Sequence, residues 1–523
     1  MRSFSQRLFL LVIFIVFIGS NLVFSQSSRV LELDNYKAYQ IIDRFVDIGR
    51  FNNLNPTKLP YTHFEVYNEL QKLNYEDLSD IEKIWFNSLI EEVRYSDAHE
   101  ENDYVIDYYI NSASEVNNSE RKNYYRPTSN DNYIWPFSDT GFNLDFKGFT
   151  VNTNIQFDLY YEFGPDGIDP TNRLYIRNDD SYVGYSSTYF SAYLGRFEKN
   201  WGPFDKKSTF LTNNAQTFDA LNYTIGTDKI SFTTLHGFLD NISGDDIYRG
   251  VSKNDPLSKR RYLSLKSIDW RISDNLSIAF KEGILYSGNN VNLEPKYLVP
   301  TFVFFFLEAG APKDQVENLL LGTNIWFRTG GFTVNFDFML DDIIFNREER
   351  GIKERSNFST ILNTSYMMPK NPIRLNWDVE IISYQAYNTD QAEGRYIYLD
   401  RGIATEFNDY VFSEIGMDYF ADLKIKGLQL SPYIGILKQG EQIINQAFAS
   451  SYSNGNAFEK VLTGTVETTT RLGLKTFYSP VNYFWIKADL GYNMVENVGN
   501  IEGQSLNRFV GMFELGFKYR FNN

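Results

Sequence analysis

The sequence has 523 residues, a formal net charge of −16 and no cysteine. The lack of cysteine excludes disulfides and thiolate metal sites, so stability has to come from strand pairing and packing. Aromatic residues make up 17% of the chain, with 37 Tyr and 44 Phe, although the mean hydropathy is only −0.36. This combination is typical of a membrane β-barrel, in which lipid-facing and lumen-facing residues alternate. The acidic balance gives no reason to expect nucleic acid as a partner.

The N-terminus has the pattern of a secretory signal. Arg2 and Arg7 precede an unbroken apolar stretch, residues 8–18, and small or neutral residues follow at 23–25. This order predicts a signal peptide over residues 1–25, cut after Ser25. The apolar stretch is too short to cross a bilayer as a helix, which needs about 20 residues.

Residues 26–120 are predicted to form an acidic α-helical segment on the periplasmic side. Residues 29–120 contain 19 acidic and 8 basic residues. Apolar residues recur at helical spacing over 35–48, where Gly49 marks the end. Thr62 with Glu65, and Ser79 with Glu82, have the spacing of capping boxes and predict the starts of two further helices.

Residues 121–523 are predicted to form an all-β transmembrane antiparallel barrel of about 18 strands. Alternating stretches recur between clusters of Asn, Asp, Gly and Ser, and their spacing allows about 16 to 18 strands of roughly 10 residues each. The clearest stretch closes the chain at 508–521. There Phe509, Phe513 and Phe517 share one face, while Glu514 and Lys518 share the other. The aromatic face is expected to meet lipid.

Residues with catalytic or metal-binding potential are few. His236 is the single histidine of the predicted barrel, and a serine hydrolase would need it beside a serine and an orienting acid. The favoured interpretation of His236 is an ordinary lumen, interface or strand-end residue. Calcium could bind oxygen ligands in two acidic loops, but neither loop matches the EF-hand spacing, so solvated surface loops are the better interpretation; the residues are Asp166, Asp169, Asn172, Asp245 and Asp246. We therefore predict no catalytic residue, cofactor or metal site, and no enzyme activity.

One stretch, residues 192–221, differs from the alternating pattern around it. Its distinctive residues are Gly195, Arg196, Trp201, Gly202, Pro203, Asn213, Asn214 and Ala215. The segment reads as a strand with Gly-Arg, then a Trp-Gly-Pro turn, then an Asn-Asn-Ala run that leads to the next strand. This order resembles the hallmark segment of the capsule-assembly Wzi family. Thr212 stands where a serine is usual, and Phe204 with Asp205 replaces a common glycine. Residues 297–300 and 317–322 are also similar to the family.

The resemblance implies an 18-stranded outer-membrane barrel with a small helical bundle at its periplasmic end. It also implies a lectin-like, non-enzymatic protein that anchors capsular or exopolysaccharide at the cell surface. The expected partners are this polysaccharide, outer-membrane lipids and the outer-membrane barrel assembly machinery. A porin-like diffusion channel is the alternative function.

A glycan-binding lumen needs aromatic rings for sugar faces, and cations if the glycan is acidic. Two groups of residues are therefore candidates for glycan contact, and each has a structural alternative. In the first group the favoured alternative is that Trp201 packs a turn, and in the second the favoured alternative is a solvated strand end or contact with lipid phosphates. The candidates are Arg196, Lys199, Trp201, Lys206 and Lys207 in the first group, and Lys259, Arg260 and Arg261 in the second.

Overall fold

The computed structural model describes most of the chain with internal gaps. The described residues are 25–93, 104–119, 124–127, 131–146, 148–162, 176–243, 257–289, 291–308, 315–341, 356–368, 371–447 and 461–522. The predicted signal peptide, apart from Ser25, lies outside them. So do the five residues considered above as calcium ligands.

Three helices follow the N-terminal stretch, as the sequence predicts: α1 Tyr36–Asp47, α2 His63–Gln71 and α3 Asp80–Val93. Asn35 caps α1 by accepting a hydrogen bond from the Ala38 amide, and Thr62 with Glu65 forms the predicted capping box of α2. The apolar stripes of the helices pack together, with Phe45 between Phe51 and Trp85. No helix among the described residues is long and apolar enough to cross a membrane.

Eighteen strands in the described part of the chain form a closed antiparallel barrel, which confirms the predicted fold class. The last strand pairs with the first, so that Asp107 lies opposite Asn522 and Asn117 opposite Met512. In chain order the strands are β1 Tyr104–Asn117, β2 Tyr133–Phe146, β3 Phe149–Asp158, β4 Ser181–Ser187, β5 Phe190–Arg196, β6 Ala220–Gly226, β7 Ile230–Phe238, β8 Arg260–Ser273, β9 Leu276–Gly288, β10 Val316–Thr329, β11 Phe332–Asp341, β12 Asn357–Met367, β13 Ile373–Ile382, β14 Tyr410–Phe420, β15 Leu428–Gln439, β16 Glu467–Val481, β17 Phe484–Glu496 and β18 Ser505–Asn522.

The first strand corrects the boundary between helical segment and barrel. β1 lies within residues 26–120, which the sequence analysis assigned to the helical segment, and the last described helix before it ends at Val93. Along β1 exposed and buried positions alternate, with Tyr108 outward and Asp107 and Asn111 buried inward. Its acidic, glycine-free sequence resembles the helices in composition, whereas its period of two is that of a strand.

The terminal strand has the two faces that its sequence predicts. Phe509, Phe513 and Phe517 are exposed on the outside, whereas Val510 and Glu514 are buried on the lumen side. A barrel in a membrane satisfies its backbone by strand pairing and offers apolar side chains to lipid.

The helices close one end of the barrel, here called the helical end, where short turns join the strands. Arg328 of β10 donates hydrogen bonds to the Phe51 and Asp274 carbonyls, and Trp85 donates to Asp422 in the turn after β14. Most connections at the opposite end, the loop end, are longer. Two of these connections fold back into the lumen.

Candidate functional site

The family-like segment forms a plug inside the barrel. Residues 197–219, the plug loop, leave β5 at the loop end and run through the lumen toward the helices. There Asn200 and Leu59 exchange backbone hydrogen bonds of 2.8 and 3.1 Å, and the Phe204 ring stacks on Tyr39 at 4.8 Å. The plug loop therefore connects the loop end to the helical end.

A buried ion pair on the barrel wall holds the plug loop. Lys281 of β9 lies 3.0 Å from Asp337 of β11, and both side chains are fully buried. Lys281 also donates to the Trp201 carbonyl at 3.0 Å, while Asp337 accepts from the Ser208 hydroxyl and the Thr209 amide, each at 3.0 Å. The two charges thus satisfy the backbone of a loop that carries no secondary structure of its own.

A second loop, residues 383–409, packs against the plug loop. Tyr387 and Tyr396 donate to the Thr209 and Phe210 carbonyls, both at 2.8 Å. Asn214 donates from its side chain to the Gly402 carbonyl at 2.8 Å. Asn214 is therefore part of a loop-to-loop contact, whereas Asn213 is exposed and donates to Glu198 of the plug loop at 3.3 Å.

Most side chains in the first group of predicted glycan contacts bind other parts of the protein. Trp201 is 3% exposed, and the Lys58 ammonium lies 3.6 Å from the centroid of its ring. Lys199 is buried over the Phe197 ring, and burial lowers its pKa to about 7. Arg196 forms a bidentate pair with Asp219, at 2.7 and 2.8 Å. These residues build the plug and do not form an exposed basic surface.

Lys206 and Lys207 are the residues of this group that reach open space. Lys206 pairs with Asp378 at 2.7 Å, and both lysines line the two cavities described below.

The second group braces the loop 383–409. Lys259 pairs with Glu393 at 2.8 Å. Arg261 is buried against Asp240 and donates to the Glu393 and Ile397 carbonyls. Arg260 is exposed and donates to Asn292. The cluster of three basic residues is therefore divided between the inside and the outside of the wall, as alternation in a strand requires.

In the described part of the chain, two cavities lie in the lumen beside the plug loop. The larger, of about 790 Å³, extends from the helical end near Asn482 to the loop end near Asp158 and Tyr160. The smaller, of about 420 Å³, lies under Tyr124 and Tyr125. Both contain aromatic side chains and hydrogen-bonding groups, the combination that binds a sugar ring through its apolar face and its hydroxyls.

The lining of both cavities is acidic. Carboxylate side chains outnumber basic side chains 12 to 7 in the larger cavity and 6 to 4 in the smaller. Burial raises the pKa of Asp180 well above its ordinary value, and the neighbouring Glu198 and Asp34 carboxylates raise it further. Sequence reasoning missed this lining because its residues come from strands and loops far apart in the chain.

The structure places His236 away from the lumen. Its Nδ1 atom lies 2.9 Å from the Ser264 hydroxyl, on the outward side of the wall. The ring also contacts the Leu298 backbone, and His236 is only 1% exposed. Within the described ranges, no group of three His, Asp or Glu residues is arranged to hold a metal ion.

The comparison with protein families decides the relationship. The model of the capsule assembly protein Wzi family matches residues 97–360, about half of the chain. The chain belongs to the Wzi family. It is an outer-membrane β-barrel with its helical segment at the periplasmic end. No curated protein sequence matches it.

One solved structure has the same fold. Wzi of Escherichia coli, described as an outer-membrane, carbohydrate-binding β-barrel involved in group 1 capsule assembly, superposes with a TM-score of 0.63 at 11% identity. The alignment covers 94% of this chain and all of that one. OprD of Pseudomonas aeruginosa gives a TM-score of 0.45 at 11% identity over 80% of this chain and 94% of its own.

Proposed function

We propose that this Wzi-family barrel binds capsular or exopolysaccharide in the cavities of its lumen and holds it at the cell surface. The observation that carries the proposal is the plug loop, which divides the lumen into cavities lined by aromatic rings and fixed polar groups. Membership of a capsule-assembly family and the carbohydrate binding described for E. coli Wzi support it.

The proposed role is binding without catalysis. The partners are the polysaccharide, the lipids around the barrel and the outer-membrane barrel assembly machinery that inserts such proteins. The predicted division into signal peptide, helical segment and barrel is kept with the boundary moved, because the barrel begins at Tyr104.

Deletion of the gene provides the test. Cells without the protein should synthesise the polymer in normal amounts but release it into the medium, and the purified barrel on a sensor surface should retain polymer from the same cells. Unchanged surface attachment together with no retention by the purified barrel would contradict the proposal.

A porin-like channel is the second candidate, and the length of the larger cavity favours it. Because this cavity extends along the lumen from Asn482 to Tyr160, it offers a route beside the plug loop that is lined by polar groups. Single-channel recording in planar bilayers separates the two functions: steady conductance without glycan retention supports the channel, and retention without conductance supports the anchor.

A further inference from the structure

The charge of the lumen indicates which glycans fit it. Four of the basic residues along the larger cavity are already paired with carboxylates. The pairs are Lys206 with Asp378 at 2.7 Å, Lys518 with Glu32 at 2.9 Å, Arg520 with Glu92 at 2.7 Å and Lys487 with Glu514 at 3.4 Å. A polyanion would have to break such pairs or lie close to the surplus carboxylates, which repel it. The low-dielectric wall strengthens this repulsion.

Two buried oxygens on the wall of the same cavity need hydrogen-bond donors. The Asn111 amide donates to one carboxylate oxygen of Asp139 at 3.3 Å. In the described structure the side-chain oxygen of Asn111 and the second carboxyl oxygen of Asp139 have no hydrogen-bond partner. The two side chains are 2% and 9% exposed. Sugar hydroxyls and ammonium groups donate hydrogen bonds, whereas a sugar carboxylate can only accept them.

We infer that the glycan held in this lumen is uncharged or carries amino sugars, and is not a polyanion. This inference rests on the proposed function and names the substrate class of the same site. Asp34 is an exposed carboxylate on the wall of the larger cavity, so its charge can be reversed without disturbing the core. Asp228, exposed in a turn at the helical end, provides a matched control outside the lining.

The test is an array of neutral, amino-substituted and carboxylated or sulfated glycans, probed with detergent-solubilised full-length barrel. Neutral and amino-substituted glycans should bind about tenfold more tightly than anionic ones, a difference of about 1.4 kcal/mol. Asp34→Lys should narrow this preference, and Asp228→Lys should leave it unchanged. Preference for anionic glycans would overturn the inference but leave the proposed function intact, whereas no binding of any glycan would contradict both.

An independent observation concerns the outside of the barrel. Residues 291–308, here called the strap, follow β9 and lie over its outward face. Because Leu263 and Leu265 of β8 belong to the lumen cluster, the alternate residues Ser264 and Lys266 point outward. Lys266 pairs there with Glu282 at 2.9 Å, and both side chains are nearly buried.

The strap is what buries this pair. The Phe304 ring lies 3.7 Å from the Lys266 ammonium, and the Phe305 amide donates to Glu282 at 3.0 Å. On the other side of the strap, Phe302 and Phe306 are exposed, Phe306 by 73%. An ion pair facing hydrocarbon is costly unless other groups shield it and satisfy its hydrogen bonds.

We propose that the strap inserts into the acyl-chain region of the outer leaflet, with lipid hydrocarbon as the partner of its exposed aromatic face. The natural chain has no cysteine, so single-cysteine variants can be labelled at defined positions. Phe306→Cys tests the strap, Phe280→Cys on the exposed face of β9 is the membrane control, and Ile501→Cys at the loop end is the aqueous control.

Each variant is labelled with a fluorophore and reconstituted into vesicles of phospholipids brominated on their acyl chains. Bromine should quench the label at position 306 as strongly as at 280, and several-fold more than at 501. Quenching at 306 that equals the aqueous control would overturn the proposal. Heat-modifiable migration of all three labelled barrels on electrophoresis verifies that they are folded.

Discussion

Asp337 and Lys281 face each other across one intervening strand, and their side-chain atoms lie 3.0 Å apart. Each charge also binds the plug loop, Lys281 through the Trp201 carbonyl and Asp337 through Ser208 and Thr209. A buried pair is a poor source of net stability, but it places a penalty on any arrangement that leaves one charge alone. The pair therefore specifies where the plug loop lies.

Breaking this pair should destabilise the folded barrel. Asp337→Asn leaves the Lys281 ammonium buried without a carboxylate, which costs about 3–5 kcal/mol. Denaturant titration of the barrel in detergent micelles measures the loss. Asp219→Asn, which breaks the partly exposed pair with Arg196, should cost less than about 1 kcal/mol. Equal losses in the two variants would show that the buried pair has no special role.

Replacement of the glycine in the Gly-Arg motif is predicted to destabilise the barrel. Gly195 has φ +131°, and a Cβ atom there would lie 2.2 Å from the Ser181 carbonyl oxygen. Gly195→Ala should cost about 1–3 kcal/mol for backbone strain, with a further penalty for the steric overlap. The control is Gly330→Ala at φ +56°, where a Cβ meets nothing within 4 Å. Heat-modifiable migration of the two variants checks the order; a melting temperature of Gly195→Ala at or above that of the control would contradict it.

The sequence predicted the features that depend on local pattern. The capping boxes of α2 and α3 depend on residues three apart, and the terminal strand depends on a period of two, so both could be predicted without tertiary information. The Trp201 segment could be related to a family by its motif. Its path through the lumen could not be predicted, because Lys281, Asp337 and Tyr387, which fix it, are distant in sequence.

Clusters of charged residues in the sequence were harder to interpret than the spacing of apolar residues. Lys259, Arg260 and Arg261 form a basic cluster in the sequence, but alternation sends Arg261 inward to Asp240 and leaves Arg260 exposed. Lys206 is likewise paired with Asp378, which follows it by 172 residues. A run of basic residues in a strand therefore does not predict a basic surface until the partners across the lumen are known.

Stability should depend on pH through Asp43 of α1. Burial raises the pKa of Asp43 to about 7, against the lowering effect of Arg374, and Asp47 raises it further. Between the ordinary value of 3.8 and about 7 the folded state binds more protons than the unfolded state, so stability falls as pH rises through this window. Asp43→Asn should remove this part of the slope and make the barrel more stable than wild type at pH 8. Thermal unfolding from pH 4 to pH 8 checks it, and an unchanged slope in the variant would refute the assignment.

The two tryptophans Trp201 and Trp270 should differ in both stability and conductance when replaced by alanine. Trp201 packs in the lumen core with Phe210 and Leu211, so Trp201→Ala should cost about 3–5 kcal/mol. Trp270 is 48% exposed on the outside of β8, so Trp270→Ala should lower the free energy of unfolding by less. Because Trp201 belongs to the plug loop, its replacement should also loosen the plug and raise single-channel conductance, whereas Trp270→Ala should leave conductance as in wild type. A destabilised Trp201→Ala barrel with unchanged conductance would show that the Lys281–Asp337 pair and the tyrosines of the second loop hold the plug without the indole.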